Sequence, residues 1–219
     1  FQVPAIYFGG LTIVISPLIS LINDQVCYLK QKDINVEKYY GELDESYKNN
    51  VLKKLQSKYD YLILYTTPEM FTNLIFLKCI SIIYKKELIN RFVIDEAHCI
   101  SNWGHDFRNS YLKLNILKQK FKQIPIMTLT ATASNYVVQD IINILNMKDT
   151  KMFTTSLYRN NLNIIVKRDF DYKMKLKTIL KLVEKFKNKL GIIYCSTKSG
   201  CYKLCNILKS YNINCDYYH

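Results

Sequence analysis

Two adjacent carboxylates, Asp95 and Glu96, follow directly on the apolar run Phe92-Val93-Ile94 and are themselves followed by Ala97 and His98. A run of this kind reads as a buried strand, so both acids stand at a strand's carboxyl end, where open α/β sheets bind ligands. Paired acids there suit nucleotide hydrolysis. One carboxylate can hold the magnesium that bridges the β- and γ-phosphates, and the second can orient or deprotonate the attacking water. Asp95 fits the first role and Glu96 the second. The bland alternative is an acidic pair that merely solvates a strand end.

Other residues could grip a polyanion. Ser16, Ser20 and Thr67 are short hydroxyls placed at expected strand-to-helix junctions, where they and free helix amides can hold phosphate oxygens without reading bases. Helix capping is their ordinary alternative. Trp103 and Phe107 flank Gly104, with His105 and Arg108 interleaved on one short polar segment. Such a loop can present aromatic faces on which bases stack, worth roughly 1–3 kcal/mol per base. A lone tryptophan is otherwise a core residue. Thr130 and Thr132 follow a further apolar run, with capping of a helix near Ser134 as the competing role. Tyr194, Ser196 and Lys198 end another run, and a solvated lysine is the alternative for Lys198.

The elements that must position these groups are legible as alternating patterns. Short apolar runs at Leu11–Ile15, 61–65, 92–94, 126–129, 163–166 and 191–194 read as buried strands. Between them, helical spacing appears in Val51-Leu52-Leu55, in Val137-Val138-Ile141-Ile142-Leu145, in Leu176-Ile179-Leu180-Val183 and in Leu204-Ile207-Leu208. Strand alternating with helix predicts an α/β fold, a parallel sheet with helices on both faces. Periodicity lapses between residues 146 and 163, which places a lobe boundary near residue 155.

No charge occurs before Asp24, a length that would satisfy a membrane window of about 20 residues. Gly9-Gly10, Pro17 and three hydroxyl residues interrupt it, so it parses as a helix end, a turn, a strand and a new helix. No membrane segment is expected. The seven cysteines include no Cys-x-x-Cys, and those between 195 and 215 are irregularly spaced, so buried reduced thiols are expected and metal ligation by cysteine is not.

Taken in order, these segments resemble the superfamily 2 helicases and, more narrowly, the RecQ family of DNA helicases. Asp95-Glu96-Ala97-His98 resembles motif II, and Cys99 through Arg108 resembles the family's aromatic-rich loop. Ser16-Pro17-Leu18-Ile19-Ser20, continuing to Gln25-Val26, is similar to motif Ia, and Tyr65-Thr66-Thr67-Pro68-Glu69 to motif Ib. Thr128 to Ala133 resembles motif III. Ser156-Leu157-Tyr158-Arg159-Asn160-Asn161-Leu162 looks like the entry to a second lobe, and Ile192-Ile193-Tyr194-Cys195-Ser196 like motif IV.

The resemblance implies two RecA-like lobes, a first over residues 1–155 and part of a second over 156–219. It implies ATP and magnesium as cofactors, with Asp95 holding the metal, Glu96 activating water and His98 linking the acids to the aromatic loop. Thr130 and Thr132 would couple nucleotide state to lobe movement. Single-stranded DNA and duplex junctions would be the partners, met by Ser16, Pro17, Leu18, Ser20, Gln25, Thr67, Pro68, Glu69, Trp103, His105, Phe107, Arg108, Tyr194, Ser196 and Lys198. The activity implied is 3′ to 5′ translocation and unwinding, in the nucleus of a eukaryote or otherwise the cytoplasm.

Departures from the family pattern are Asn102 in place of glutamine, and Asn109 and Asn160 in place of proline. None of the six glycines belongs to a Gly-Lys-Ser/Thr phosphate loop, and by resemblance residues 1–5 correspond to the helix just after one. The expectation is therefore a helicase core cut at both ends. A superfamily 2 RNA helicase and a non-catalytic nucleic-acid-binding remnant are the alternatives.

Composition agrees with a folded chain that meets an acidic polymer. Over 219 residues, 49% are hydrophobic and 22% charged, which excludes disordered and low-complexity classes. The net charge is +13, yet only Arg91, Arg108, Arg159 and Arg168 are arginines. So Lys-heavy an excess can equally reflect AT-rich codons.

Overall fold

The computed structural model describes residues 1–57, 62–104, 106–155, 159–168 and 171–218. The chain divides into two compact units, Phe1–Phe153 and Thr154–His219.

The first unit opens with α1 (Gln2–Phe8), the Gly9-Gly10 turn, β1 (Leu11–Ile15) and α2 (Ile19–Lys30). β2 (Val36–Tyr39), α3 (Glu45–Ser57) and β3 (Ile63–Thr66) follow. A 3₁₀ turn at Pro68–Thr72 leads into α4 (Leu74–Lys85), whose cap Asn73 accepts the amides of Ile75 and Phe76 at 3.0 Å. Then come β4 (Ile89–Ile94), a 3₁₀ turn at Ala97–Ile100, α5 (Asn109–Leu112), α6 (Ile116–Lys120), β5 (Ile126–Thr128) and α7 (Asn135–Ile144).

All strand pairs are parallel, in the order β2-β3-β1-β4-β5. Successive side chains of a strand point to opposite faces, and β1 divides accordingly. Leu11, Ile13 and Ile15 pack with Phe92 and Ile94 against residues of α3, α4 and α7. Val14 and Val93 pack with Ala5 of α1 and Ile22, Val26 and Leu29 of α2 on the other face. The parallel α/β expectation holds. β1 and β3 are buried at every position, as near-continuous apolar runs in a covered sheet should be.

β2 is absent from the sequence expectation because Val36-Glu37-Lys38-Tyr39 carries two charges in four residues. It is an edge strand, where charge discourages further pairing.

The second unit contains α8 (Tyr172–Lys185), capped by Asp171, and α9 (Lys198–Ser210), capped by Thr197. The strands expected at 163–166 and 191–194 are not formed, which corrects the sequence reading. A parallel strand is held only by its neighbours. Here no ladder forms, and Ile164, Ile165, Val166, Ile192 and Tyr194 stay at least 75% exposed.

Thr12 lies wholly buried in β1, and its Oγ1 has no hydrogen-bond partner. An unsatisfied buried hydroxyl costs about 1–3 kcal/mol. Thr12→Val, which keeps the shape and removes that group, is expected to raise the urea midpoint of unfolding. A lower midpoint would show that the hydroxyl is satisfied in solution.

Candidate active site

β1 and β4 are paired through Ile15 and Ile94, but the chain leaves β1 toward β2 and β3 and leaves β4 toward β5. Their carboxyl ends therefore form the point at which strand order reverses, the crevice where sheets of this class bind ligands. The Asp95 amide donates to the Ile15 carbonyl at 2.9 Å, carrying the ladder one residue past β4. On the other flank the Leu129 amide donates to Ile94 and the Ala97 amide to Leu129, both at 2.9 Å. The acidic pair is thus strapped between the ends of β1 and β5.

Glu96 turns out of this strap in the left-handed region, φ 49° and ψ 45°. For a residue with a side chain such a conformation costs on the order of 1–3 kcal/mol and marks a position held by its surroundings. The turn sets Glu96 Oε2 3.2 Å from Nδ1 of buried His98. The same nitrogen lies 3.0 Å from Thr130 Oγ1, and Thr130 Oγ1 in turn accepts the Thr132 amide at 3.2 Å. A polar chain therefore runs from Glu96 through His98 to Thr130 and Thr132. Ser134 caps α7, so the capping role weighed for the two threonines is filled by another residue.

Burial pushes the Asp95 carboxyl above its ordinary pKa, and the Glu96 charge adds to the rise. The Glu96 amide, donating to Oδ1 at 3.0 Å, and His98 oppose it without cancelling it. Buried Tyr111 of α5 donates its hydroxyl to the Asp95 carbonyl at 2.9 Å, and burial raises its phenol pKa far enough to keep it a donor. Magnesium commonly binds through one or two carboxylates together with phosphate oxygens. One oxygen-bearing side chain with its orientation fixed by a backbone amide fits that mode. Among the described residues no group of three or more His, Cys, Asp or Glu side chains could hold a metal alone.

The segment after the acids folds back on them. The Arg108 amide donates to the Cys99 carbonyl at 3.0 Å and the Gly104 amide to that of Ser101 at 2.9 Å. A Cβ on Gly104 would overlap the His98 carbonyl, so the bend needs glycine. Trp103 is 80% exposed, which removes the core alternative, and Phe107 is half-buried. Arg108 donates to Asp106 Oδ2 at 2.8 and 3.2 Å and to the Pro17 carbonyl at 3.0 Å. It ties the aromatic loop to the turn after β1. A cleft of about 270 Å³ is lined by Pro17, Leu18, Glu96, His98, Asp106, Ala131 and Thr132.

Ser16, Ser20 and Thr67 do not cap helices. The N-cap of α2 is Leu18, with no side-chain hydrogen bond, and the Thr67 hydroxyl caps no amide of its 3₁₀ turn. Ser16 is 2% exposed and its Oγ is unpartnered, whereas Ser20 and Leu18 are exposed in the first turn of α2. Pro68, directly after Thr67, is buried just past the end of β3. Partial desolvation raises the Glu69 pKa, but its own amide, the Thr67 and Ser110 hydroxyls and the Arg108 charge outweigh it and hold the carboxyl low. Gln25 is placed differently. Its carboxamide accepts from Gln2 at 2.5 Å and from Tyr65 at 3.4 Å, pinning α1 and α2 to β3. The Tyr65 phenol is pushed up to about 12, chiefly by burial.

His105 lies outside the described residues. Tyr194, Ser196 and Lys198 belong to the second unit, all exposed, with Lys198 opening α9. The seven cysteines are free; Cys79, Cys99 and Cys205 are buried, and burial above all pushes the Cys99 thiol up to about 11. Asp106, Tyr111 and the pair Ser101 and Asp140 escaped the sequence reading. Ser101 and Asp106 lie inside the Cys99 to Arg108 segment without a distinguishing signal of type or spacing, and Tyr111 and Asp140 act through contacts between distant elements.

The family profile described as DEAD/DEAH box helicase matches residues 1–141. The chain belongs to the DEAD/DEAH box helicase family. Over its whole length it is 38% identical to "ATP-dependent DNA helicase Q-like 4B" of Arabidopsis thaliana and 39% identical to "RecQ-like DNA helicase BLM" of Xenopus laevis. It spans 19% and 16% of those proteins. Among solved structures, the DUF1998 helicase MrfA superposes with a TM-score of 0.63 at 15% identity, over 93% of this chain and 31% of that one. The Mycobacterium smegmatis helicase Lhr, bound to ssDNA and AMP-PNP, gives 0.58 at 16%, over 93% and 28%. Both likenesses concern the fold. Asp95-Glu96-Ala97-His98 reads DEAH in one-letter code, the letters of that family's description.

Because the fold holds the Asp95 pKa above its unfolded value, this group's contribution to stability is full below the unfolded pKa and is lost as pH rises through the folded one. Asp95→Asn, neutral throughout, is expected to melt higher than wild type at neutral pH and to converge with it in acid. Calorimetry across that window checks this, and a lower neutral-pH midpoint would refute it.

Proposed function

We propose that this chain is the core segment of a RecQ-type, ATP-dependent 3′ to 5′ DNA helicase, coupling ATP hydrolysis to movement along single-stranded DNA and to duplex unwinding at junctions. The observation that carries the reading is the continuity of the acid loop with the aromatic loop: Arg108 fixes to Pro17 the same segment that begins at Asp95 and Glu96. Relatives named as DNA helicases support it.

In this reading Asp95 holds magnesium, which when bound with ATP supplies charge neutralisation at the β- and γ-phosphates. Glu96 takes the proton of the attacking water, and the Nδ1 contact with His98 sets its carboxylate. His98 reports to Thr130 and Thr132, which couple nucleotide state to lobe movement in the proposed RecA-like pair of residues 1–155 and 156–219. DNA phosphates lie against the uncapped start of α2, the unpartnered Ser16 hydroxyl, Leu18, Ser20 and the turn of Thr67, Pro68 and Glu69. Bases stack on Trp103 and Phe107, with His105 on the same loop. Tyr194, Ser196 and Lys198 hold the strand from the second lobe. Arg108 and Gln25 serve that surface by fixing its loops and helices. The setting that follows is DNA repair and recombination, nuclear in a eukaryotic cell.

Labelled oligo-dT should bind the chain in preference to the matching RNA, and Trp103→Ala should weaken it by roughly fivefold to a hundredfold, from about 1–3 kcal/mol of stacking. Equal or tighter RNA binding would overturn the DNA assignment. In the whole protein Glu96→Gln is expected to abolish ATP hydrolysis and leave DNA binding intact; hydrolysis near the wild-type rate would remove Glu96 from its role.

A further inference from the structure

Ser101 stands at the base of the aromatic loop, wholly buried. Its hydroxyl donates to Asp140 Oδ2 at 2.6 Å, and its Oγ accepts the Trp103 amide at 3.1 Å. A serine hydroxyl has one proton and two lone pairs. With the proton committed to a carboxylate, in the short geometry of a charge-assisted bond, the lone pairs are aimed and the Trp103 amide meets a fixed acceptor. Asp140 therefore determines which way Ser101 faces, and Ser101 determines where the chain enters Trp103.

The position of Asp140 gives this contact a second meaning. It lies on α7, whose Val137 and Ile141 pack in the same apolar cluster as Ala97, Cys99 and Ile100 of the turn that follows the acids. That helix begins directly after Thr130-Ala131-Thr132-Ala133, with Ser134 accepting the Val137 amide as its cap. The threonine segment reaches the acid loop in one direction through the Thr130 to His98 contact. Through α7, Asp140 and Ser101 it reaches the aromatic loop in another.

We infer that Asp140 is a positioning residue, which locks the base of the aromatic loop through Ser101 so that the segment of Thr130 and Thr132 and the exposed Trp103 move together. The consequence for DNA binding rests on the helicase reading; the lock itself does not.

Trp103 is the chain's only tryptophan, so its fluorescence reports the loop without interference. Hydrogen exchange at the Trp103 and Gly104 amides reads the lock directly. Asp140→Ala is expected to speed both by tenfold or more, with exchange in β1 and β4 unchanged, and to blunt the fluorescence response to oligo-dT. Asp140→Asn, which keeps an acceptor oxygen, should stay within about threefold of wild type. Ser101→Ala should reproduce Asp140→Ala, and it decides the matter should Asp140→Ala fail to fold. Unchanged Trp103 exchange in Ser101→Ala, or Asp140→Asn as fast as Asp140→Ala, would overturn the inference. A wild-type Trp103 that ignores oligo-dT would instead count against the DNA-helicase reading, while the exchange rates still decide the role of Asp140.

Discussion

The parallel ladder between β1 and β4 is the constraint from which the rest of the site follows. It runs from Leu11 paired with Ile89, across a register shift, to Thr12 paired with Arg91 and on to Ile15 paired with Ile94, and it does not stop where the strands do, because the Asp95 amide still reaches the Ile15 carbonyl. That one extra bond fixes where the backbone must turn. The turn falls at Glu96, and Arg108 is then brought back to the Pro17 carbonyl, just past the end of β1. A shift of one residue in this register would reverse the face of every side chain on β4, burying the acids' neighbours on the wrong side.

Several features at this edge oppose stability. Glu96 sits in the left-handed region, Ser16 keeps an unpartnered buried hydroxyl, and burial works against the charged form of Asp95. The surrounding sheet offsets them with two apolar faces and a dense aromatic group in which Phe92 meets both Phe71 and Phe121. Costs gathered at one end of a well-packed sheet are the pattern expected where a ligand supplies the missing partners.

The central strands were readable in the sequence because burial on both faces demands continuous apolar runs, and Leu11–Ile15 meets that demand at every position. The edge strand β2 was not, because an edge tolerates Glu37 and Lys38 and so loses the pattern. The runs at 163–166 and 191–194 carry the strand signal without the strand, since a side-chain pattern states what a segment can bury and not whether a neighbour exists to pair with it. At the site, Asp95, Glu96, Trp103 and Thr130 were legible from type and order. Gln25 entered through the resemblance to motif Ia, and its carboxamide is occupied by Gln2 and Tyr65. Ser101 and Asp140 lie far apart in sequence, and no local periodicity could join them.

The net charge of +13 must be weighed against the chemistry of this surface. The groups that line it are hydroxyls, helix amides, aromatic rings and carboxylates. Its one arginine, Arg108, has its guanidinium directed at Asp106 and the Pro17 carbonyl. In the proposed reading Lys198 is the one lysine assigned to holding a strand, so most of the excess lysines have no part in aligning it. Beyond roughly 8–10 Å their individual effect is screened at physiological salt. What they can supply is a diffuse attraction that raises encounter rates and makes affinity fall steeply with salt. In the proposed reading, register and orientation come from the hydroxyls at the ends of β1 and β3, from the second-unit residues Tyr194, Ser196 and Lys198, and from Trp103, whose amide is held by Ser101. The charge and the site thus answer separate questions, how often a polyanion arrives and how it is held. Only the second is written into the fold.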